Sequence, residues 1–398
     1  MCGIVGIVNY RENIENESYI IKNMTNAITR RGPDEEGFFL SKHCDLGHRR
    51  LSIIDIENGK QPMSVTIDDI TYTIVYNGQL YNTKELREVL VDNGFKFKGH
   101  SDTEVLLKSY IFYGKDVCKH LNGIFAFAIW NSKKEELFVA HDHFGIKPLY
   151  YSIINNNFIF GSEVKAFFQH PAVKPKLDKI GISELFGIGP SHTPGRSPFV
   201  GIEELEPANF IVYNRNCFKK EEYWKLETKE HTDDLETTCD KIRFLLKDSI
   251  ERQLVSDVPL CCLLSGGLDS SIITAYASKY YKEKYGQKLS TFSVDYVDND
   301  KNFVKSDFQP NTDEFYINLM FKEFDTEHKK IILDTPELYK ALEDAMISRD
   351  FPGMADVDSS YLLFFKEVKK YAKVTLSGEC SKNTNLAMYN CNKGKADP

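Results

Sequence analysis

Short apolar runs separated by turn residues dominate the first half of the chain. Their length and their β-branched or aromatic content are typical of strands. Two segments, near 18–30 and 83–93, have helical spacing instead, and the second opens at Thr83 with Glu85 in its first turn. Many short strands with few helices predict an α+β domain of stacked antiparallel sheets. The strand-like runs are CGIVGIV, GFFL, ITYTIVYNG, GIFAFAIW, ELFVAHD, NFIFGS and FIVYN.

The pattern changes after the polar, charged stretch KLETKEHTDD at 225–234. A helix is predicted next, with Ile242, Leu245, Leu246 and Ile250 on its apolar face. Strand-like and helical segments then alternate, which predicts an α/β domain with a parallel sheet. Its strands are predicted at VPLCCLL (258–264), LSTFSV (289–294), KKIILD (329–334) and KVTL (373–376).

These patterns predict two domains, because 398 residues exceed what one hydrophobic core usually organises. The last residues, CSKNTNLAMYNCNKGKADP, are polar and predict neither a strand nor an amphipathic helix. We expect a first domain at 1–215, a linker at 216–234, an incomplete second domain at 235–379 and a divergent tail at 380–398.

Composition narrows the class of protein. The longest apolar runs are too short for a membrane span, and Ile4–Val8 lacks the basic flank of a secretion signal. A net charge of −8 with no basic stripe argues against a nucleic-acid partner. The nine cysteines have no zinc-like spacing. We therefore expect a cytoplasmic enzyme that acts on small molecules.

Cys2 is the first candidate for chemistry. Removal of Met1 would give one residue both a thiol and a free α-amine, and the amine can serve as general base for the thiol. The alternative is a small apolar residue packed in a buried first strand.

Further motifs follow MCGIVG in order along the first domain. Together they resemble the glutaminase domain of the class II glutamine amidotransferases. The resemblance implies an N-terminal nucleophile fold in which the first cysteine attacks the side-chain amide of glutamine. The motifs are RRGPDEEG (30–37), GHRRLSIID (47–55), YNGQLYN (76–82), HSDTE (100–104), LNGIFAFAIW (121–130) and HDHFGIKPLYY (141–151).

The resemblance assigns roles that suit the residue types. The Asn77 amide and the Gly78 N–H would stabilise the tetrahedral oxyanion beside Cys2. Arg50 would bind the carboxylate of glutamine, and Asp102 its ammonium. The glutamine-binding set is Arg50, Leu51, Ser52, Ile53, Ile54, Asn77, Gly78, Gln79 and Asp102.

Each motif has a local structural alternative. HRRLS (48–52) could be an exposed basic turn, Asn77-Gly78 a hairpin turn, and Asp102 a helix N-cap beside Ser101. In addition, the family usually has Glu where this chain has Gln79. The loss of that charge predicts a raised KM for glutamine.

A second candidate site lies in SGGLDSS, between a buried strand and a helix. Glycine N–H groups, serine hydroxyls and a helix N-terminus suit a phosphate, whereas the alternative is a structural turn with a serine cap. Asp269 would then engage Mg²⁺ on the phosphates.

This loop resembles that of the ATP pyrophosphatases over about 235–379. A class II glutaminase followed by SGGLDSS is the arrangement of the glutamine-hydrolysing asparagine synthetase family. The resemblance implies glutamine, aspartate and ATP as substrates, β-aspartyl-AMP as intermediate and an internal ammonia tunnel, and it leaves a homodimer open. The implied ATP-binding residues are Leu263, Ser265, Gly266, Gly267, Asp269, Ser270, Val294, Ser377 and Gly378.

The family pattern breaks after Ser377-Gly378-Glu379. Lys382 and Asn383 stand where the family has two carboxylates, and the FGGY turn does not follow. We therefore expect a truncated synthetase domain with exposed apolar faces and impaired asparagine formation. Two alternatives stay open: a protein with glutaminase activity alone, and an inactive protein that binds glutamine or ATP.

Overall fold

A computed structural model describes residues 1–189, 191–307 and 311–378 of the chain. The chain divides into two compact units between Thr228 and Lys229. Within the described ranges, no helix is both long enough and apolar enough to cross a membrane.

The first unit is built mainly from strands. Its strands are β1 (Gly3–Asn9), β2 (Glu35–Phe39), β3 (Cys44–Arg50), β4 (Met63–Ile67), β5 (Ile70–Leu80), β6 (Gly123–Asn131), β7 (Glu136–His141), β8 (Tyr150–Ile154), β9 (Asn157–Gly161), β10 (Glu203–Glu204), β11 (Asn209–Asn214) and β12 (Cys217–Glu222). Its helices are α1 (Ser18–Ala27), α2 (Thr83–Asp92), α3 (Asp102–Tyr113), α4 (Val164–Phe167) and α5 (Lys179–Gly187), with 3₁₀ turns at Glu15–Glu17 and Gly114–His120.

These strands form two antiparallel sheets of six strands each. The first has the order β10-β8-β9-β1-β3-β2 and the second β12-β11-β7-β6-β5-β4. Strand β1 is central in its sheet and pairs with β3 on one side and β9 on the other. The predicted α+β class with stacked antiparallel sheets is therefore confirmed.

The cores explain why β1 reads as an uninterrupted apolar run. Ile4 and Val8 point into the core between the two sheets, where they meet residues of β5 and β6 such as Val75 and Ala128. Val5 and its neighbours on the opposite face pack under α1 and α4. A strand covered on both faces has no polar side to show in sequence.

Some elements of this unit were not predicted from the sequence, and α3 and β12 are two of them. Helix α3 was not predicted, because its residues from Val105 to Tyr110 are apolar or buried on every side and lack amphipathic spacing. Strand β12 forms the edge of its sheet at 217–222, within the stretch predicted as the linker at 216–234. The exposed lysines and glutamates of that strand are typical of a sheet edge.

The second unit contains four strands and six helices within its described residues. Its strands are β13 (Leu260–Leu263), β14 (Ser290–Tyr296), β15 (Glu327–Leu333) and β16 (Val374–Leu376). Its helices are α6 (Leu235–Gln253), α7 (Leu268–Tyr285), α8 (Asn299–Asn302), α9 (Asp313–Glu323), α10 (Thr335–Arg349) and α11 (Ala355–Val368).

All four strands are parallel, in the order β15-β14-β13-β16. Helices α6 and α7 cover one face of this sheet through Ile250 and Ile273, together with Leu254 directly after α6. Helix α11 covers the other face through Phe364 and Val368. The predicted α/β domain with a parallel sheet is confirmed.

The predicted apolar face of α6 is only partly buried. Ile250 is fully buried, whereas Ile242 is 51% and Leu245 is 62% exposed. The spacing is helical, as predicted, but the helix joins the core only through its last turns. The predicted tail at 380–398, together with Glu379, lies outside the described residues.

Candidate active site

Cys2 lies immediately before β1, and strand pairing fixes its position. Gly3 pairs with Arg49 of β3, which brings the thiol to the residue that follows that strand. The Leu51 N–H donates to Cys2 Sγ over 3.4 Å, and the thiol donates to the Leu51 carbonyl oxygen over 3.7 Å. Arg31 Nε donates to the Cys2 carbonyl oxygen at 2.8 Å. Burial raises the pKa of the thiol, so the thiol needs a base in order to ionise.

Asn77 and Gly78 lie inside β5, opposite Ala126 and Phe125 of β6. The alternative of a hairpin turn is therefore wrong. Asn77 is 1% exposed, and among the described residues its Nδ2 has no hydrogen-bond partner. A buried donor without an acceptor is costly, and such donors are typical of ligand sites.

Gly78 allows a close backbone approach. A Cβ at this position would lie 2.3 Å from the Ile124 carbonyl oxygen and 2.8 Å from Phe125 Cα. Both atoms belong to the neighbouring main chain and cannot move aside cheaply. Gly78 is thus needed for β5 and β6 to pair at this point.

Arg50 ends β3 and is 3% exposed, so HRRLS is not an exposed turn. Its Nη1 donates to Glu35 Oε2 and to the Ile56 carbonyl oxygen, each at 2.8 Å, and its Nη2 donates to the Asp55 carbonyl oxygen at 2.7 Å. These contacts fix the guanidinium in one orientation at the wall of a cleft.

Asp102 begins α3, and Ser101, not Asp102, is the N-cap, since its hydroxyl accepts from the Thr103 N–H. Asp102 Oδ2 accepts from the Tyr76 hydroxyl at 3.0 Å and from the Leu80 N–H at 3.2 Å. Burial raises the pKa of this carboxyl despite those hydrogen bonds. Asp102 therefore gains from a cation that neutralises it.

One cleft, with about 620 Å³ of empty space, collects nearly all of the predicted residues. Ser52 is the exception: its N–H donates to Asp34 Oδ2 at 2.9 Å, and it does not line the cleft. The predicted residues on the lining are Cys2, Arg50, Leu51, Ile53, Ile54, Asn77, Gly78, Gln79 and Asp102.

Sequence reasoning missed other lining residues, of which Gln61 and Lys147 have the clearest contacts. The Gln61 side-chain amide forms two hydrogen bonds with the Tyr76 backbone, as a neighbouring strand would. Its Oε1 accepts from the Tyr76 N–H at 2.6 Å and its Nε2 donates to the Tyr76 carbonyl oxygen at 3.1 Å. Because Asn77 follows directly, Gln61 holds the strand at the point where the cleft begins. Gln61 lies outside the motifs quoted above, whereas Lys147 lies in HDHFGIKPLYY, where the resemblance assigned it no role.

The SGGLDSS loop joins β13 to α7, as predicted. The hydroxyl of Ser270 donates to the Gly267 carbonyl oxygen at 3.0 Å, and the Ser265 N–H donates to the Ser270 hydroxyl at 3.3 Å. Strand β13 has β14 on one side and β16 on the other, so the loops after β13 and β16 meet at the carboxyl edge of the sheet. Such a point is where open α/β sheets bind ligands.

Gly378 shows how closely these two loops approach. A Cβ on Gly378 would lie 2.8 Å from the Ser270 backbone nitrogen and 3.0 Å from the Asp269 carbonyl carbon. The residue after Ser377 therefore has to be small. The predicted TLSG and SGGLDSS segments are in contact at this point.

A largely apolar pocket with about 750 Å³ of empty space opens beside this edge. Leu263, Ser265 and Val294 line it, together with residues that sequence reasoning missed, such as Phe292 and Tyr361. The other predicted ATP-binding residues lie outside the lining, and these are Gly266, Gly267, Asp269, Ser270, Ser377 and Gly378.

Comparison with known proteins assigns a family to each unit. Residues 1–224 match the glutamine amidotransferase domain family, and residues 241–384 match the asparagine synthase family. The second match extends five residues into the segment predicted to be divergent.

Curated relatives cover nearly the whole chain. Asparagine synthetase (glutamine-hydrolyzing) 3 of Bacillus subtilis is 46% identical over 96% of this chain and 62% of its own length. Asparagine synthetase (glutamine-hydrolyzing) 1 of the same organism is 34% identical over 95% of this chain and 57% of its own length. A Methanocaldococcus jannaschii protein with the provisional name asparagine synthetase (glutamine-hydrolyzing) 2 is 33% identical over 95% of this chain and 74% of its own length. The chain thus spans less than two thirds of the two Bacillus relatives.

Proposed function

The chain belongs to the family of glutamine-hydrolysing asparagine synthetases, and on that premise we propose that its first unit hydrolyses glutamine with Cys2 while its second unit activates aspartate with ATP. Ammonia from the first reaction then converts the activated aspartate to asparagine. The glutaminase step has the strongest support.

The observation that carries it is the unpartnered Nδ2 of Asn77 in the cleft that also holds the Cys2 thiol. A side-chain carbonyl bound between these two groups would meet a nucleophile on its carbon and a ready donor at its oxygen. The donor needs no rearrangement, because within the described part of the chain it has no other hydrogen bond to break.

The reaction proceeds by acyl transfer through Cys2. After removal of Met1, the Cys2 α-amine takes the thiol proton and the thiolate attacks the side-chain carbonyl carbon of glutamine. The carbonyl electrons move to the oxygen, to which Asn77 and Gly78 donate hydrogen bonds. When the carbonyl re-forms, the C–N bond breaks and ammonia leaves with the proton held by the amine. Water then hydrolyses the thioester, which releases glutamate and restores the thiol.

Arg50 and Asp102 recognise the amino-acid end of glutamine. The Arg50 guanidinium binds the α-carboxylate and the Asp102 carboxylate binds the α-ammonium. The raised pKa of Asp102 supports this role, since a bound ammonium offsets the cost of a buried carboxylate.

In the second unit, the pocket lined by Leu263 and Val294 holds the adenine and ribose, and the Ser265–Ser271 loop holds the phosphates. Among the described residues, no group of three His, Cys, Asp or Glu side chains could hold a metal ion. Mg²⁺ would therefore bind this loop together with ATP, and Asp269 is the residue that would hold it. There it would neutralise phosphate charge.

One experiment separates the two activities. The purified full chain is incubated with glutamine, aspartate and Mg-ATP, and glutamate, pyrophosphate and asparagine are each quantified. Cys2→Ala should abolish glutamate release, whereas Cys217→Ala, at an exposed position on β12, should leave it unchanged. Glutamate release that survives Cys2→Ala would refute the glutaminase proposal.

The synthetase half is tested with ammonium chloride in place of glutamine. Asparagine formation should be impaired, as the break in the family pattern after Glu379 predicts, and the pyrophosphate that forms measures the activation of aspartate. Asp269→Asn should suppress pyrophosphate formation, whereas Asp300→Asn, on the exposed helix α8, should not. Absence of pyrophosphate here, in a chain that releases glutamate when it is given glutamine, would contradict the synthetase proposal and leave a glutaminase.

A further inference from the structure

Lys147 is a buried ammonium beside the amino terminus. It lies between β7 and β8, is 8% exposed, and lines the same cleft as Cys2. Its Nζ is 3.1 Å from the Met1 sulfur. Among the described residues it forms no ion pair, which is an expensive state for a lysine.

The main chain holds Lys147 in this position. Asp142 Oδ2 accepts from the Lys147 N–H at 3.0 Å and from the Phe125 N–H at 3.2 Å. Asp142 Oδ1 accepts from the N–H groups of Phe144 and Ile146, each at 3.0 Å. The carboxylate nearest to Lys147 in sequence is thus committed to backbone donors, and it ties the loop to β6 rather than pairing with the ammonium.

We propose that Lys147 is a further residue of the glutaminase site, an ammonium that faces the processed amino terminus and keeps the Cys2 α-amine neutral, so that the amine can accept the thiol proton. The inference rests on the proposed glutaminase function. Met1 contacts Lys147 in the unprocessed chain, so removal of Met1 would leave Lys147 facing the new α-amine and thiol.

Electrostatics in the cleft agree with this geometry. Burial, then Arg31, lowers the pKa of Lys147 to about 8, so the side chain is still mainly charged at pH 7. Burial, then Arg31, with a contribution from Lys147, lowers the pKa of the Met1 α-amine to about 5. A cation disfavours a second positive charge nearby, and it also favours a thiolate.

Other charged groups face the same point. Arg31 lowers the pKa of the amine more than Lys147 does, whereas Cys2 and Asp34 raise it. Asp142 and Cys2 raise the pKa of Lys147. At the thiol, Arg50 favours ionisation and Asp102 opposes it. Arg31 donates both to the Cys2 carbonyl oxygen and to Glu163, so a carboxylate partly neutralises its charge. Lys147 has no such partner in the described part of the chain.

The test measures Cys2 ionisation directly. Full-length chains with Met1 removed, verified by intact mass, are alkylated with iodoacetamide at a series of pH values, and modified Cys2 is quantified by mass spectrometry. Lys147→Met should move the midpoint upward by about one pH unit, as expected for loss of a nearby charge. The acidic limb of kcat/KM for glutamine should move with it.

Two further variants complete the design. Lys108→Met removes a buried lysine that is paired with Glu104, so it should lower stability without moving the midpoint. Lys147→Arg keeps the charge and should keep the midpoint at or below that of the wild type, which tests the idea even when Lys147→Met does not fold. An unchanged midpoint in Lys147→Met, or a raised one in Lys147→Arg, overturns the proposal. Failure of the glutaminase itself is seen separately, as absent glutamate in the wild type.

Discussion

Replacement of Asn77 by Ala should separate activity from stability. The side chain is 1% exposed, and its Nδ2 finds no acceptor in the described part of the protein. The folded state therefore already bears the cost of removing this donor from water. The proposed transition state is the state in which the donor is used.

The expected change in the activation free energy is larger than the expected change in the free energy of unfolding. Loss of one oxyanion donor typically lowers kcat by about 10²–10³, or about 2.7–4 kcal/mol. Removal of a buried, unpaired donor relieves a penalty of about 1–3 kcal/mol, which offsets the packing lost with the side chain. We therefore expect the free energy of unfolding to change by less than about 1 kcal/mol in Asn77→Ala.

Asn131→Ala is the matched control, because Asn131 ends the neighbouring strand β6 and is 3% exposed. Its Oδ1 accepts from the N–H groups of Lys133 and Lys134 at 3.1 and 3.0 Å. Its loss should cost about 1–3 kcal/mol and leave glutamate release unchanged. Thermal unfolding and initial rates of glutamate release measure both effects. If Asn77→Ala is as destabilising as Asn131→Ala, or keeps wild-type kcat, the role of the unpartnered amide is wrong.

Three other substitutions test neighbouring parts of the argument. Gln79→Glu adds a negative charge at the cleft and should lower KM for glutamine by about two- to fivefold with kcat unchanged, as expected for a partly exposed ion pair; equal KM values would contradict it. Asp102→Asn should raise KM and, at pH 7, also raise the melting temperature. Because burial raises the pKa of Asp102 above 3.8, the ionised form opposes folding at neutral pH, and the gain should vanish as the pH falls towards 3.8; a gain that persists in acid would exclude this cause. Gly378→Ala pushes a Cβ to 2.8 Å from the Ser270 nitrogen and should weaken ATP binding about tenfold or more, since overpacking costs about 1–3 kcal/mol, with glutaminase activity retained. Calorimetric titration with ATP measures that loss, and unaltered affinity would show that the two loops do not form the nucleotide site.

In the first unit, the apolar pattern predicted β1, β2, β5, β6, β7, β9 and β11, but it missed the short strands β4 and β8. It failed for β3, whose CDLGHRR sequence carries charged residues that are nevertheless buried, because the strand positions Arg50 at the cleft. It failed again for α3, since a helix buried on all sides loses the polar face that reveals helical spacing. Buried charged residues in β3 and burial on every side of α3 thus both hide the spacing of apolar and polar residues that otherwise reveals strands and helices.

The residues of the candidate site were likewise only partly predictable from the sequence. Motif resemblance found Cys2, Arg50 and Asn77 because each has a fixed neighbour in sequence. Gln61 and Lys147 were missed because their importance comes from contacts with Tyr76 and Met1, which only the folded chain creates. Sequence spacing carries no information about which distant side chain completes a strand or faces an amino terminus.

The central position of β1 also determines when its sheet can form during synthesis. Its partner β9 ends at Gly161, so β1 can be closed on both sides only after that residue has been synthesised. In the folded unit Met1 lines the cleft that holds Cys2, and burial lowers the pKa of its α-amine, although Met1 as a whole stays 53% exposed. If Cys2 acts as proposed, an aminopeptidase has to remove Met1 before the thiol can use its own α-amine as base. A chain that keeps Met1 would lack the free Cys2 α-amine and would release no glutamate, however well its sheets are formed.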